Sequence, residues 1–196
     1  MIFLVDGSTS IKANQFDSMK VFMESVVKET TVGKKLTRFG VILYSTNPKV
    51  EFTLNQFYTK KKVLNAIRSL TNRTEGDTYT SKALEYSSQY FDAANGGRGA
   101  LDVPQILFVI SDGGASDPQD LVAKSNALRD KGIRVISIGV DKANKAQLEI
   151  MAGGDTSRVF YVNDFDALEG LYKNSQISHV LCSITKPGEQ SIYLSI

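Results

Sequence analysis

The chain has 196 residues, of which 42% are hydrophobic and 22% charged, with a formal net charge of +2. That length carries about one domain with a sizeable core, and so small a basic excess argues against nucleic acid as a partner, because few surplus cations exist to neutralise phosphates. The apolar runs are too short for a membrane-spanning helix, so no membrane insertion is expected. No export signal is visible, and Met1 abuts the first strand-like run, as expected of a domain excised from a longer chain. Cys182 is the only cysteine and His179 the only histidine. An internal disulfide and a cysteine zinc site are therefore excluded, and a Ser-His-Asp triad would have to use His179, which reads better as a surface residue near a helix end.

Strand-like and helix-like segments alternate. Residues 1–5 form a short apolar run that suits a strand buried on both faces, and they deliver Asp6-Gly7-Ser8-Thr9-Ser10 at its end. Residues 14–29 place Phe16, Met19, Met23, Val26 and Val27 at helical spacing. A second apolar run at 39–44 is followed by the turn-formers Ser45-Thr46-Asn47-Pro48, and then 49–54 alternates Val50, Phe52 and Leu54 with polar residues. So short a link permits a hairpin but no parallel crossover, so this segment is predicted to be an antiparallel edge strand. Helices are predicted over 59–70, with Val63, Ile67 and Leu70 on one face, and over 80–91. Asn95-Gly96-Gly97-Arg98-Gly99 reads as a flexible loop before the buried strand at 106–110, which delivers Ser111-Asp112-Gly113-Gly114. A helix over 118–131 is predicted to start with Asp117 as N-cap and Pro118 at its first position. Strands at 135–140 and 158–162 and a helix at 165–176 follow, and the tail 183–196 leaves as a linker around Lys186-Pro187-Gly188. The pattern predicts a doubly wound α/β domain over 1–182: a mostly parallel six-stranded sheet with one antiparallel edge strand and helices on both faces.

In such sheets ligands bind beyond the carboxyl ends of the strands. The oxygen-bearing residues there are Asp6, Ser8 and Ser10 on the first arm, Thr78 or Asp77 on the loop 75–80, and Asp112 after the strand at 106–110. An all-oxygen set without thiolate or imidazole suits Mg²⁺ or Mn²⁺, ahead of Ca²⁺, and excludes a typical zinc site. If the carboxylates act through bound waters, the metal keeps a strong positive charge, and an open coordination position would favour an anionic ligand such as a partner's carboxylate.

Asp6-x-Ser8-x-Ser10, Thr78 and Asp112, together with the order of elements, resemble the metal-ion-dependent adhesion site of von Willebrand factor A-type domains, a resemblance that spans the chain to about Cys182. Phe3-Leu4-Val5-Asp6-Gly7-Ser8 and Val109-Ile110-Ser111-Asp112-Gly113 look most like the A-domains of extracellular-matrix proteins, collagen VI-type alpha chains first and matrilins second. The resemblance implies a Rossmann-like fold in which Ser8, Ser10 and Thr78 contact the metal directly, Asp6 and Asp112 reach it through water, and a ligand carboxylate completes the shell. It implies a secreted, non-enzymatic module of the extracellular matrix whose partners are matrix proteins, collagen chains or sister A-domains. Two positions depart from the pattern: Ser81 stands where many relatives have Gly, and Ser111 where many have Thr. Matrix A-domains often carry flanking cysteines, so the resemblance also implies that Cys182 pairs with a cysteine outside this chain; a lone thiol is the competing reading.

Asn72-Arg73-Thr74 matches the glycosylation sequon, making Asn72 a glycan candidate in a secreted protein. Lys34-Lys35 and Lys60-Lys61-Lys62 raise a polyanion patch, but three adjacent lysines on a helix do not share a face, so a solvated helix start is the expected reading. A haloacid-dehalogenase-like phosphatase would need a second Asp where Ser8 stands, and no Walker-type lysine loop or Gly-x-Gly-x-x-Gly follows the first strand, which weakens hydrolase and nucleotide readings. A purely structural A-domain with an incidental metal site is the other alternative.

Overall fold

The computed structural model describes residues 1–72, 76–174 and 176–185. One six-stranded sheet runs through the centre, formed by β1 (Ile2–Asp6), β2 (Gly40–Tyr44), β3 (Lys49–Phe52), β4 (Gln105–Ser111), β5 (Ile133–Val140) and β6 (Val159–Val162). Its spatial order is β3-β2-β1-β4-β5-β6. β3 pairs antiparallel with β2, and every other pairing is parallel. Asp6 and Asp112 therefore follow two strands that are hydrogen-bonded neighbours, and the switch in strand order falls at β1.

Both faces are buried because the strand side chains alternate between two cores. Phe3, Val5, Phe108 and Ile110 face a core built with α1 (Ala13–Lys28), α2 (Lys60–Arg68), α6 (Leu168–Lys173) and α7 (Gln176–Thr185). Ile2, Leu4, Leu107 and Val109 face the core of α3 (Thr80–Ser88), α4 (Leu121–Asp130) and α5 (Lys145–Met151). At the centre of the first core, Phe3 stacks on Phe108 at 5.1 Å and on Phe39 at 5.9 Å between ring centroids. These aromatics hold β1 and β4 side by side, which fixes the spacing of the two arms at their ends.

Four features differ from the sequence reading. α5 has two turns and buries only Leu148 and Met151, too little periodic signal to register. The helix expected at 165–176 is two helices: α6 ends at Lys173, and α7 begins at Gln176 and buries Ile177, Leu181 and Ile184. No Gly or Pro marks this break in the sequence. Residues 183–185, assigned to the tail, are helical, with Arg134 Nη1 donating to Ile184 O at 2.7 Å; residues 186–196 lie outside the described residues. Finally, 95–99 is tightly packed: a Cβ on Gly96, whose φ is +91°, would lie 2.7 Å from Asn55 N, so the glycine admits a close backbone approach.

Candidate metal centre

The first arm turns immediately after β1. The Ser8 N–H donates to Asp6 Oδ1 at 2.9 Å, a local turn that points the carboxylate back over the strand end. Ser111 Oγ, from the end of β4, donates to Asp6 Oδ2 at 2.9 Å. Ser10 Oγ donates to Asp112 Oδ1 at 2.9 Å and lies 3.0 Å from Ser8 Oγ. Since the single Ser10 proton goes to Asp112, Ser8 is the donor in the second contact. Asp6, Ser8, Ser10 and Asp112 thus form one hydrogen-bonded group. Burial falls along it: Asp6 has no exposure and Ser8 2%, while Ser10 is exposed and Asp112 half-buried. The group opens outward from a buried base.

The second arm is tied to both others through its backbone. Thr9 N and Thr9 Oγ1 both donate to Gly76 O at 3.2 Å. Gly76 has a φ of +77°, and a Cβ there would lie 2.0 Å from Thr46 Oγ1, so glycine is required for the approach. Between the two candidates on this arm, Thr78 is buried, whereas Asp77 is exposed and its N–H donates to Thr46 Oγ1 at 3.0 Å. The Thr78 hydroxyl makes no hydrogen bond among the described residues, leaving its lone pairs open. The structure therefore brings four of the five predicted ligands into one hydrogen-bonded group and holds Thr78 on a loop bonded to Thr9 through Gly76 O and to Ser116.

Thr78 is fixed by Ser116, the residue before Asp117. Ser116 N donates to Thr78 O at 2.8 Å, and Thr78 N donates to Ser116 Oγ at 3.1 Å. Asp117 was expected to cap the helix that follows it. Its carboxylate instead accepts from Ser81 N at 3.0 Å and Lys82 N at 2.8 Å, capping the distant α3, while Ser81 Oγ donates to Asp117 O at 2.6 Å. Two orphan N–H groups at the α3 start are thereby satisfied, and the carboxylate sits at the positive end of the helix. Both departures from the family pattern have roles here: Ser81 binds the Asp117 carbonyl, and Ser111 orients Asp6. Local sequence contains no sign of the Asp117 contact, because its partners lie 35 and 36 residues away.

Burial dominates the electrostatics. The Asp6 carboxyl is pushed up to about 6, first by burial and further by the neighbouring Asp112, while hydrogen bonds from Ser8 and Ser111 hold it back. Asp112 is also raised, by burial, with the Ser10 hydrogen bond opposing. Beneath them lies Tyr44, 1% exposed. Its hydroxyl has no hydrogen-bond partner among the described residues; Thr80 and Ser111 lie near enough to act on it but not in bonding geometry. Burial and the Asp6 charge keep this phenol protonated.

Two carboxylates and three hydroxyls fit a hard divalent cation, because every donor is oxygen. Among the described residues no three His, Cys, Asp or Glu side chains stand together, so hydroxyls are essential to the set. A cation would relieve the mutual repulsion of two raised carboxylates and take the open lone pairs of Thr78. Asn72 Nδ2, the atom a glycan would occupy, donates to Ile11 O at 2.9 Å; Arg73 and Thr74 lie outside the described residues. Cys182 is exposed on α7, and His179, also exposed, lies on the same helix.

A parallel sheet with an antiparallel β3, bearing a three-armed oxygen cluster at its carboxyl rim, defines an A-type domain, and the comparisons agree. Residues 1–174 match the von Willebrand factor type A domain, and the chain belongs to that family. It is 39% identical to the human collagen alpha-6(VI) chain over 95% of its own length and 8% of that protein's. Human matrilin-1 is 31% identical, over 90% of this chain and 36% of the other. The chain thus spans under a tenth of the collagen VI relative. Among solved structures, proximal thread matrix protein 1 from the mussel byssus superposes with a TM-score of 0.83 at 30% identity, covering 89% of this chain and 45% of that one. A second structure of that protein, described as having a zinc-occupied MIDAS motif, gives a TM-score of 0.82 at 28% identity, covering 88% and 46%.

Proposed function

We propose that this domain is a secreted, non-enzymatic adhesion or assembly module of the extracellular matrix. It engages protein partners, matrix proteins or collagen chains, through the carboxyl rim of its sheet, with Asp6, Ser8, Ser10, Thr78 and Asp112 holding Mg²⁺ or Mn²⁺. The observation that carries this reading is the convergence of Asp6, Ser8, Ser10 and Asp112 in one hydrogen-bonded oxygen cluster that opens to solvent, with the loop that bears Thr78 bonded to it through Gly76 O. The zinc-occupied site of the mussel protein and the kinship with collagen VI and matrilin support it. Ser8, Ser10 and Thr78 would contact the cation directly. Asp6, whose two oxygens already accept from Ser8 N and Ser111, would act through water, as would Asp112. The bound cation would supply an open, positively charged position for a carboxylate of the partner.

The domain is proposed to run to the end of α7 at Thr185, with Cys182 bonded to a cysteine beyond this chain and Asn72 glycosylated. Intact mass before and after deglycosylation and thiol alkylation reads both modifications. The metal-bridged mechanism is tested by solid-phase binding to purified collagen VI microfibrils and matrilin, in Mg²⁺ or EDTA, with wild type and Asp6→Ala. Mg²⁺-dependent binding by wild type alone supports it. Equal, metal-independent binding by both proteins would defeat it in favour of a structural A-domain with an incidental site.

A further inference from the structure

The end of the sheet opposite the metal centre gathers cations that are far apart in sequence. Arg38 Nε and Nη2 donate to Lys34 O at 3.0 and 2.6 Å, and Nη1 donates to Gly96 O at 2.8 Å. Its guanidinium lies 5.4 Å from the Tyr58 ring centroid, two residues before Lys60. Arg98 donates to Leu36 O, and Lys60 to Lys28 O at the end of α1. Lys34-Lys35 and Lys60 thus belong to one surface completed by Arg38 and Arg98. Lys60–Lys62 form the solvated helix start expected of them, and Lys60 also reaches this surface.

No carboxylate lies within 4.0 Å of Lys34, Lys35, Arg38, Lys60 or Arg98 among the described residues. Asp92, at the same end, approaches Lys131 instead. Both guanidiniums are anchored on backbone carbonyls, which restrains their geometry while leaving further N–H donors unspent. Burial and the nearby Arg38 lower the affinity of Arg98 for its proton, so like charges are held together without a counter-charge.

We infer that Lys34, Lys35, Arg38, Lys60 and Arg98, around Tyr58, form a docking surface for a sulfated polysaccharide chain. Its anionic groups would take the free lysine and guanidinium donors, and Tyr58 offers an apolar face to a sugar ring. The choice of a sulfated saccharide over nucleic acid rests on the matrix setting proposed above; the cation surface does not. The two ends of β1 stand about 13 Å apart, so rim and polyanion surface could be occupied together.

The test is heparin dodecasaccharide binding in EDTA at about 0.15 M NaCl, which removes any metal-bridged contribution. Wild type and Asp6→Ala are expected to bind equally. Lys34→Gln/Lys35→Gln, two exposed positions, should weaken binding at least about tenfold and flatten its salt dependence, and adding Lys60→Gln/Arg98→Gln should abolish it. Lys142→Gln/Lys145→Gln, with the same charge change elsewhere, should bind like wild type. The proposal is overturned if wild type does not bind, if the control pair loses as much, or if desulfated heparin or single-stranded DNA binds as well. Loss of heparin binding in Asp6→Ala would overturn it too; failure of Mg²⁺-dependent adhesion would not.

Discussion

The two ends of the sheet solve opposite electrostatic problems with the same backbone. At the carboxyl rim, acids and hydroxyls of two arms hydrogen-bond to one another, and the third arm is tied to them through Gly76 O, so each side chain depends on its neighbours. At the other end, cations are tied to backbone carbonyls and not to carboxylates. The rim is cooperative, and losing one group should disturb the others. The basic end is modular, and its charges should be removable one at a time. Between them, the stacked Phe3, Phe39 and Phe108 serve both equally.

The largest expected effect abolishes the contrast. Phe108→Ala removes a fully buried ring from the centre of one core and should cost about 3–5 kcal/mol. Chemical denaturation would read the loss, and cation and heparin binding should fall together as the fold is lost.

A second prediction uses the rim's acidity. Folding raises the Asp6 carboxyl from 3.8 to about 6, so the folded state prefers the protonated form. That preference contributes stability that is fully present below pH 3.8 and lost as pH rises through about 6. Relative to Asp6→Asn, the metal-free wild type should therefore lose up to about 3 kcal/mol across this window. Cation affinity should run the other way, strengthening from pH 5 to 7 as the carboxylate ionises. Denaturation midpoints and Mn²⁺ titrations of both proteins at stepped pH would check the two signs. A pH-independent difference would remove the electrostatic account of the rim.

A smaller effect is expected at Asp117. Asp117→Ala strips acceptors from Ser81 N and Lys82 N and should cost about 1–2 kcal/mol. Because the same loop holds Thr78, cation affinity should also drop, whereas heparin binding should not. Asp117→Asn, which keeps one acceptor, should recover part of both losses. Denaturation and Mn²⁺ titration separate positioning from stability.

The alternation of apolar runs with helical periods shows the order of strands and major helices because each strand is buried on both faces. The short turn before β3 shows its antiparallel direction. The grouping of Asp6, Ser8, Ser10 and Asp112 at one rim was legible because they follow the ends of neighbouring strands. The long-range contacts were not legible. Asp117 caps a helix 35 residues upstream, and Arg38 meets Tyr58, and Arg98 meets Leu36, only after three loops fold to one end. α5 and the break before α7 escaped because two turns carry too little periodicity and the break lacks Gly or Pro.

The central claim is that five oxygen-bearing side chains on three arms hold one divalent cation. Calorimetric titration of Mn²⁺ into the metal-free domain at pH 7 tests it directly, with Asp6→Ala and Thr78→Ala alongside. Wild type should bind a single ion saturably, Thr78→Ala more weakly, and Asp6→Ala not at all. Absence of saturable binding in wild type, or equal binding in all three, would contradict the account.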